Sequence, residues 1–197
     1  MTLPPLADAL NSDGSRTSPL AQSLALLFEP SEILYTQVVP YLAQNLSQYN
    51  TYKGLIDAST TRISQLSLDD QAQFIGGHPR IGEVSGLSEM SAAEQAAAAT
   101  PPAVLARLAH LNALYEKRYP GLVYITFVAG RTRAQIVPEM EGVLGLEPGQ
   151  EGKENEPPVE TITPVQVGSD AWKRELDRAV VDVGRIAKSR LAKLGAE

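Results

Sequence analysis

Residues 101–119, PPAVLARLAHLNALYEKRY, carry the pattern that decides the fold class. Large apolar side chains recur there at intervals of three and four residues, at Leu105, Leu108, Leu111, Leu114 and Tyr115. Side chains at these intervals lie on one face of an α-helix, so the stretch predicts an amphipathic helix packed against a core.

The same periodicity appears before and after this helix. Ser18 and Pro19 form an N-cap and a first turn, and Leu20, Leu24 and Leu27 follow at helical spacing. Ser31 is predicted to start a second helix in the same way. The apolar face of that second helix would consist of Ile33, Leu34, Val38, Tyr41 and Leu42.

Further helices are predicted over residues 49–64, from Ser67 onward and over residues 133–144. Asp70 stands three residues after Ser67, close to the spacing of a capping box. A last helix contains an apolar stripe formed by Trp172, Leu176, Ala179, Val183, Ile186, Ala187 and Leu194.

Two stretches depart from this helical pattern. Residues 121–130, GLVYITFVAG, hold β-branched and aromatic residues between glycines, and predict a buried extended segment at about residues 122–130. Because a single strand has no partner, we expect an extended loop. Residues 145–168 are rich in Pro, Gly and Glu without periodicity, and predict a flexible surface insertion. The expected fold is an all-α, single-domain multi-helix bundle over residues 1–197, with its core from about residue 15.

Composition limits the function. A chain of 197 residues is long enough for one domain with a substantial core. The net charge of −6, with no basic run longer than a pair, argues against a nucleic-acid partner. No apolar run approaches the ~18 residues that span a bilayer. A small-molecule partner is therefore expected, with no nucleic acid and no membrane.

Cysteine is absent, which excludes disulfides, thiolate metal sites and cysteine nucleophiles. The N-terminus lacks the cationic and then apolar order of a secretory signal. The final residues, GAE, are not a Ser-Lys-Leu peroxisomal signal. We expect a cytoplasmic or peroxisomal location.

Arg190 projects near the middle of the apolar stripe of the last helix, whereas Arg185 and Lys188 point away from it. A buried guanidinium needs a partner, because an unpaired one costs several kcal/mol. Two interpretations remain open. Arg190 pairs with a structural carboxylate or extends to solvent near the helix end, or it faces a pocket and binds an anionic ligand through its planar fork.

Ser91 and Glu94 stand three residues apart at the start of an alanine-rich run. This spacing predicts a capping box in which Ser91 caps the helix and Glu94 reaches back. The alternative is a binding site, since the first turn of a helix attracts anions. Glu94 and Gln95 would then place an acid and an amide at its mouth.

His78 lies in FIGGHPRIGE, residues 74–83, and is one of two histidines in the chain. The following proline favours an extended backbone at His78, and Gly76, Gly77 and Gly82 permit unusual dihedrals. Two histidines without metal-ligand spacing argue against a metal site at either. General acid–base chemistry suits His78, whose ordinary pKa lies near 6.5. His110, within the leucine-rich helix, is interpreted as structural.

Five stretches of the sequence are similar to those of a known family, namely LFEPSE, FIGGHPRIGE, MSAAEQ, VYITFVAGRT and GRIAKSRLAKL. In this order and at roughly these spacings, they resemble the 2-oxo-4-hydroxy-4-carboxy-5-ureidoimidazoline (OHCU) decarboxylase family. The resemblance runs from about residue 15 to the C-terminus. It implies an all-helical enzyme without a metal or other cofactor, commonly a homodimer, that makes allantoin in urate degradation. The long stretch at residues 145–168 departs from the shorter connection of many relatives.

The resemblance also implies roles for individual residues. His78 and Glu94 would be catalytic. The implied substrate-binding residues are Pro79, Ser91, Ala92, Ala93, Gln95, Thr126, Phe127, Val128, Ala129, Gly130 and Arg190.

Two rival functions stay open at this point. One is a helical ureide-binding or scaffold domain without turnover, which the presence of both catalytic candidates disfavours. The other is a hydrolase acting on a neighbouring ureide, which the shortage of metal ligands disfavours.

Overall fold

The chain is all-α in a computed structural model that describes residues 2–96, 100–147 and 157–196, with the backbone alone at residues 95 and 96. The α-helices are α1 (Leu6–Leu10), α2 (Pro19–Phe28), α3 (Val39–Ala43), α4 (Tyr52–Ser64), α5 (Leu68–Gly76), α6 (Glu89–Ala96), α7 (Pro102–Arg118), α8 (Arg133–Leu144) and α9 (Asp170–Lys193). A π-helical turn (Leu34–Val38) and two 3-10 turns (Leu46–Gln48, Val159–Thr161) complete the set. No strand occurs in these described ranges, which confirms the predicted fold class.

Two compact units make up the chain. The first combines Met1–His78 with Leu176–Glu197, and so contains α1 to α5 and most of α9. The second is Pro79–Glu175, which contains α6 to α8 and residues 170–175 of α9. The single-domain organisation over residues 1–197 stays a prediction.

Polar caps start the helices of the first unit where the sequence predicts them. The Ser18 hydroxyl accepts a hydrogen bond from the Ala21 N–H at 3.2 Å. The Ser67 hydroxyl accepts from the Asp70 N–H at 3.1 Å and donates to the Asp70 carboxylate at 2.8 Å. Helix α4 begins at Tyr52, three residues later than predicted.

The helix predicted from Ser31 contains the π-helical turn Leu34–Val38 before α3. A π-turn holds more residues than an α-turn, so it changes which later side chains share a face. Tyr41 is therefore 40% exposed, and its predicted place on the apolar face was wrong. The Arg62 guanidinium covers its ring at 4.8 Å from the centroid. The other members of that face are buried, namely Ile33, Leu34, Val38 and Leu42.

Helix α9 packs closely on α4 within the first unit. A Cβ placed on Gly184 would lie 2.8 Å from the Thr60 hydroxyl oxygen, so a glycine allows this approach. Lys188 pairs with Asp57 at 2.6 Å along the same two helices. The buried α9 residues of this unit include Leu176, Ala179, Val180, Val183, Ala187 and Leu191. Ile186 and Leu194, predicted within the stripe, are only half-buried.

The second unit is built on α7, whose predicted apolar face is buried at Leu108, Leu111, Leu114 and Tyr115. Helix α8 has the predicted bounds and starts with a capping box between Thr132 and Gln135. Residues 122–128 form the predicted extended loop, and the Tyr124 ring packs edge-on against Tyr115 at 5.3 Å.

The predicted flexible insertion, residues 145–168, is only partly within the described chain. Residues 148–156 lie outside it. The described remainder includes the 3-10 turn Val159–Thr161, and the Val165 N–H donates to the Arg118 carbonyl at 2.7 Å. This remainder thus has local structure that its composition did not predict.

Candidate active site

His78 follows the last turn of α5 and is buried, with 7% of its surface exposed. Its backbone N–H donates to the Ile75 carbonyl at 3.0 Å. Its ring stands edge-on to Phe74 at a centroid distance of 5.4 Å, and Phe74 packs edge-on against Phe28 at 6.3 Å. These contacts hold the imidazole in one position.

The two ring nitrogens of His78 differ in their surroundings. Nδ1 lies 3.3 Å from the Phe74 carbonyl oxygen, which can only accept, so the hydrogen of the neutral ring is on Nδ1. Nε2 then carries a lone pair. It is buried and has no hydrogen-bond partner among the residues that the structure describes. A buried polar atom without a partner costs free energy, and a ligand that donates a hydrogen bond would recover it.

Burial lowers the pKa of His78 to about 4, from an ordinary value of 6.5. The negative charge of Glu29 opposes this shift, and the positive charge of Arg190 adds to it. The imidazole is therefore neutral near pH 7 and can accept a proton at Nε2.

Arg190 is 2% exposed and pairs with Glu29, which is 4% exposed. Its Nη2 lies 2.7 Å from Glu29 Oε1, and its Nη1 donates to the Leu27 carbonyl at 3.4 Å. The structure thus confirms the pairing with a buried carboxylate. Direct binding of an anionic ligand by Arg190 stays a prediction.

Glu29 is the residue of this cluster that the sequence reasoning missed as a site residue. It follows the last residue of α2 and has a φ of 78°, which is rare for a residue other than glycine. Pro30 follows directly. Glu29 lies in LFEPSE, one of the stretches that carry the family resemblance, but the resemblance implied no role for it and one acidic residue before a proline does not by itself indicate a site.

The loop that carries His78 packs on the turn that carries Glu29. A Cβ on Gly77 would lie 3.1 Å from Ser31 Cβ and 3.9 Å from the Pro30 carbonyl oxygen. Gly77 has a φ of −74°, so close packing rather than an unusual dihedral accounts for glycine there. Gly82 does have a positive φ, 86°.

Helix α6 begins earlier than predicted, and the predicted capping box of Ser91 and Glu94 was wrong. The Ser91 N–H donates to the Ser88 hydroxyl at 3.1 Å, so Ser88, three residues earlier, caps the helix. Ser91 lies inside the helix and is 3% exposed, whereas Glu94 is half-buried. The side chain of Gln95 lies outside the described residues.

The extended segment is tied to α8 by one carboxylate, that of Glu139. Thr126 and Tyr124 donate to Glu139 Oε1 at 2.7 and 3.0 Å, and Arg131 pairs with Oε2. These hydrogen bonds lower the pKa of Glu139 against the opposing effect of burial, which is the largest single contribution. Arg131 also donates to the Phe127 carbonyl at 2.6 Å.

Other predicted binding residues of the second unit are more open. Pro79 is half-buried, and Ala92 and Ala93 are exposed on α6. Val128 accepts a hydrogen bond from Arg131 Nε at 2.9 Å. Ala129 and Gly130 are exposed and have positive φ values of 51° and 79°. The tight turn at this point explains a glycine at 130.

A comparison with protein-family models matches the OHCU decarboxylase family over residues 15–165. The chain belongs to the OHCU decarboxylase family. His78, Glu94 and the extended segment lie within the matched residues, whereas Arg190 lies beyond them. The family that this model describes is one of decarboxylases.

Among solved structures, the present chain is similar to the crystal structure of an (S)-allantoin synthase. The TM-score is 0.56 and the sequence identity 18%, over 98% of this chain and 54% of that one. At this identity the likeness shows the fold, and the present chain spans about half the length of the solved protein. A comparison with curated proteins gives no significant match.

The site residues implied by the family divide between the two compact units. The first unit brings His78 and Arg190 together around Glu29. The second contains Pro79, the residues of α6 and the extended segment. In the described part of the chain, no three His, Cys, Asp or Glu side chains form a group that could hold a metal ion. None of the described helices is long and apolar enough to cross a membrane.

A surface cavity of about 410 Å³ lies elsewhere in the first unit. The N-terminal residues 2–6 line it, with Tyr52, Leu194 and Ala196. None of the implied site residues borders this cavity, so we do not assign the site to it.

Proposed function

We propose that the chain catalyses the decarboxylation of OHCU to (S)-allantoin in urate degradation, without a metal or organic cofactor. Membership of the OHCU decarboxylase family supports this reaction, and the fold shared with an (S)-allantoin synthase is consistent with it. Within the chain, the observation that carries the proposal is the state of His78. Its neutral imidazole has a buried Nε2 lone pair without a partner in the described residues.

The substrate explains why such a residue suffices. When CO₂ leaves, the electrons of the broken C–C bond need an acceptor, and the ring C=N beside the carboxylated carbon supplies one. The bond electrons form a new C=C bond, and the π electrons of C=N move to the nitrogen, which takes a proton. The protein then has only to position the substrate and move protons.

We assign His78 Nε2 to accept the proton of the hydroxyl on the carbon that loses CO₂. Return of a proton to one face of the neighbouring ring carbon, as the hydroxyl oxygen becomes a carbonyl, gives a single enantiomer. Glu94 is assigned as the second proton-transfer group, on the basis of the family motif.

Binding is assigned to the remaining family positions. Ser91, Gln95 and the backbone of residues 126–130 would hold the ureido group and the ring amides, and Arg190 an anionic or carbonyl oxygen. The homodimer implied by the family is also a proposal, and light scattering on the purified chain tests it.

The test is to follow freshly oxidised urate by circular dichroism with and without the purified chain. We expect faster appearance of optically pure (S)-allantoin, because uncatalysed decay gives no excess of one enantiomer. Glu94→Gln, which keeps the size and hydrogen-bonding capacity of the side chain, should lower kcat by about 10²-fold, the effect of losing acid–base help. No acceleration by the wild-type chain would support a ureide-binding domain instead. Full activity of Glu94→Gln would remove Glu94 from the catalytic residues.

A further inference from the structure

We propose that Glu29 is a positioning residue of this site, which holds Arg190 and His78 in the arrangement that the reaction requires. The inference rests on the proposed function. It extends the site to a residue at the end of α2.

The carboxylate of Glu29 contacts the guanidinium of Arg190. The Glu29 carboxylate lies 2.7 Å from Arg190 Nη2, and both side chains are more than nine-tenths buried. Ion pairs at this depth add little net stability, since apolar residues of similar volume often replace them without loss. A buried carboxylate does, however, orient the guanidinium fork, which an apolar residue cannot do.

The backbone conformation of Glu29 is unusual. A φ of 78° is unfavourable in a residue other than glycine and persists only where surrounding contacts impose it. Glycine at this position would avoid that cost. The glutamate therefore adopts the unfavourable conformation with its carboxylate on Arg190.

The residues on either side of Glu29 are connected to His78 by contacts. Phe28, the residue before Glu29, contacts Phe74, and Phe74 contacts the imidazole. The turn after Glu29 contacts Gly77, the residue before His78. A shift of the Glu29 turn would therefore move the imidazole from two sides.

The charges of Glu29 and Arg190 also act on His78. Glu29, from the end of α2, and Arg190, from α9, are the charged groups that influence His78 among the described residues. They act in opposite directions on its proton affinity. Because the pair is close to neutral as a whole, it leaves the imidazole in a nearly uncharged setting, and loss of the carboxylate would expose it to Arg190 alone.

The experiment compares Glu29→Gln with Glu141→Gln. Glu141 is a matched control, since it forms a buried ion pair with Arg107 at the same 2.7 Å and is assigned no part in the reaction. Both variants remove one buried charge from such a pair. We expect Glu29→Gln to lower kcat/KM by on the order of 10²-fold, the cost that a misplaced catalytic group can carry. Glu141→Gln should keep kcat/KM close to wild type while its Tm falls.

Histidine NMR supplies a readout that a purely structural role would not change. The chain has two histidines, so a His110→Gln variant assigns the signals. In Glu29→Gln, the His78 ring protons should shift at pH 7, as the ring moves relative to Phe74. Its titration midpoint should fall below the wild-type value near 4.

Glu29→Asp keeps the charge but shortens the side chain, and it tests the proposal if Glu29→Gln does not fold. It should fold, and should lose part of kcat/KM with shifted His78 signals. Wild-type kcat/KM and unchanged His78 signals in either folded Glu29 variant would overturn the proposal. If the wild-type chain does not decarboxylate OHCU, the proposed function fails, and the His78 signals alone decide whether Glu29 positions the ring.

Discussion

Two buried arginine–glutamate pairs in the described part of the chain are alike in chemistry and differ in setting. Arg190–Glu29, in the first unit, and Arg107–Glu141, in the second, both have an N–O distance of 2.7 Å. Their four side chains are at most 4% exposed. Burial and distance alone therefore do not separate their roles.

The backbone and the neighbours separate them. Arg107 lies in α7 and Glu141 in α8, both in regular helix, so this pair connects the two helices that pack together in the second unit. Glu29 lies outside a helix at a positive φ, and its charge acts on His78. We therefore propose a structural role for the Arg107–Glu141 pair, and a positioning role for the Arg190–Glu29 pair beside His78.

The largest expected effect is on the free energy of unfolding, and it should be similar for the two ion pairs. Glu29→Ala and Glu141→Ala should each lower the free energy of unfolding by about 3–5 kcal/mol, because each leaves a buried arginine without its carboxylate. Urea denaturation measures this. Replacing both partners of the second pair, as Arg107→Met with Glu141→Leu, should recover most of the loss. An unchanged unfolding free energy in Glu141→Ala would show that the two pairs are not equivalent even in stability.

The next effect is confined to the first pair and its neighbour His78. An unfolded imidazole gains a proton below pH 6.5, whereas His78 in the folded chain gains one only near pH 4. The unfolded state thus holds more protons between these values, and stability should fall by up to about 3 kcal/mol as the pH drops from 6.5 to 4. His78→Gln should flatten this dependence in denaturation curves, and His110→Gln should keep most of it. An equal slope in wild type and His78→Gln would contradict the shifted pKa.

A smaller effect tests the functional side of the comparison. Arg190→Lys keeps the charge but loses the planar fork, and should lower kcat/KM by an amount equivalent to about 1.5–3 kcal/mol, the range for a charge-assisted hydrogen bond. Arg107→Lys should lower Tm and leave the kinetics normal. Arg185→Lys, on the exposed side of α9, controls for the substitution itself. Lost stability with normal kinetics in Arg190→Lys would make the first pair structural like the second.

Local sequence patterns predicted much of the fold because helix caps and apolar periodicity act over a few residues. Ser18 caps α2, and α8 has the predicted bounds. The prediction failed where two local signals competed. Ser91 lies nearer to the alanine-rich run and has a glutamate three residues later, but Ser88, three residues earlier, caps the helix.

The contacts of the candidate site were predicted only in part, because they join residues that are distant in sequence. Helical periodicity placed Arg190 on a buried face, and its burial is confirmed. The same periodicity could not identify Glu29 as its partner, because periodicity relates only residues within one helix. The end of α2, where Glu29 lies, is far from Arg190 in sequence, and its Leu27 is separated from Arg190 by 163 residues. The tautomer of His78 likewise depends on a carbonyl whose direction only the folded backbone fixes.

The rate of (S)-allantoin formation by His78→Gln, followed by circular dichroism beside the wild-type chain, tests the central claim most directly. Glutamine keeps a polar side chain but cannot accept the substrate proton as a neutral imidazole does. We predict that the wild-type chain accelerates the reaction and that His78→Gln lowers kcat by about 10²-fold or more, with Tm unchanged or raised below pH 6. A folded His78→Gln variant that forms (S)-allantoin at the wild-type rate would contradict the assignment of His78 as the base.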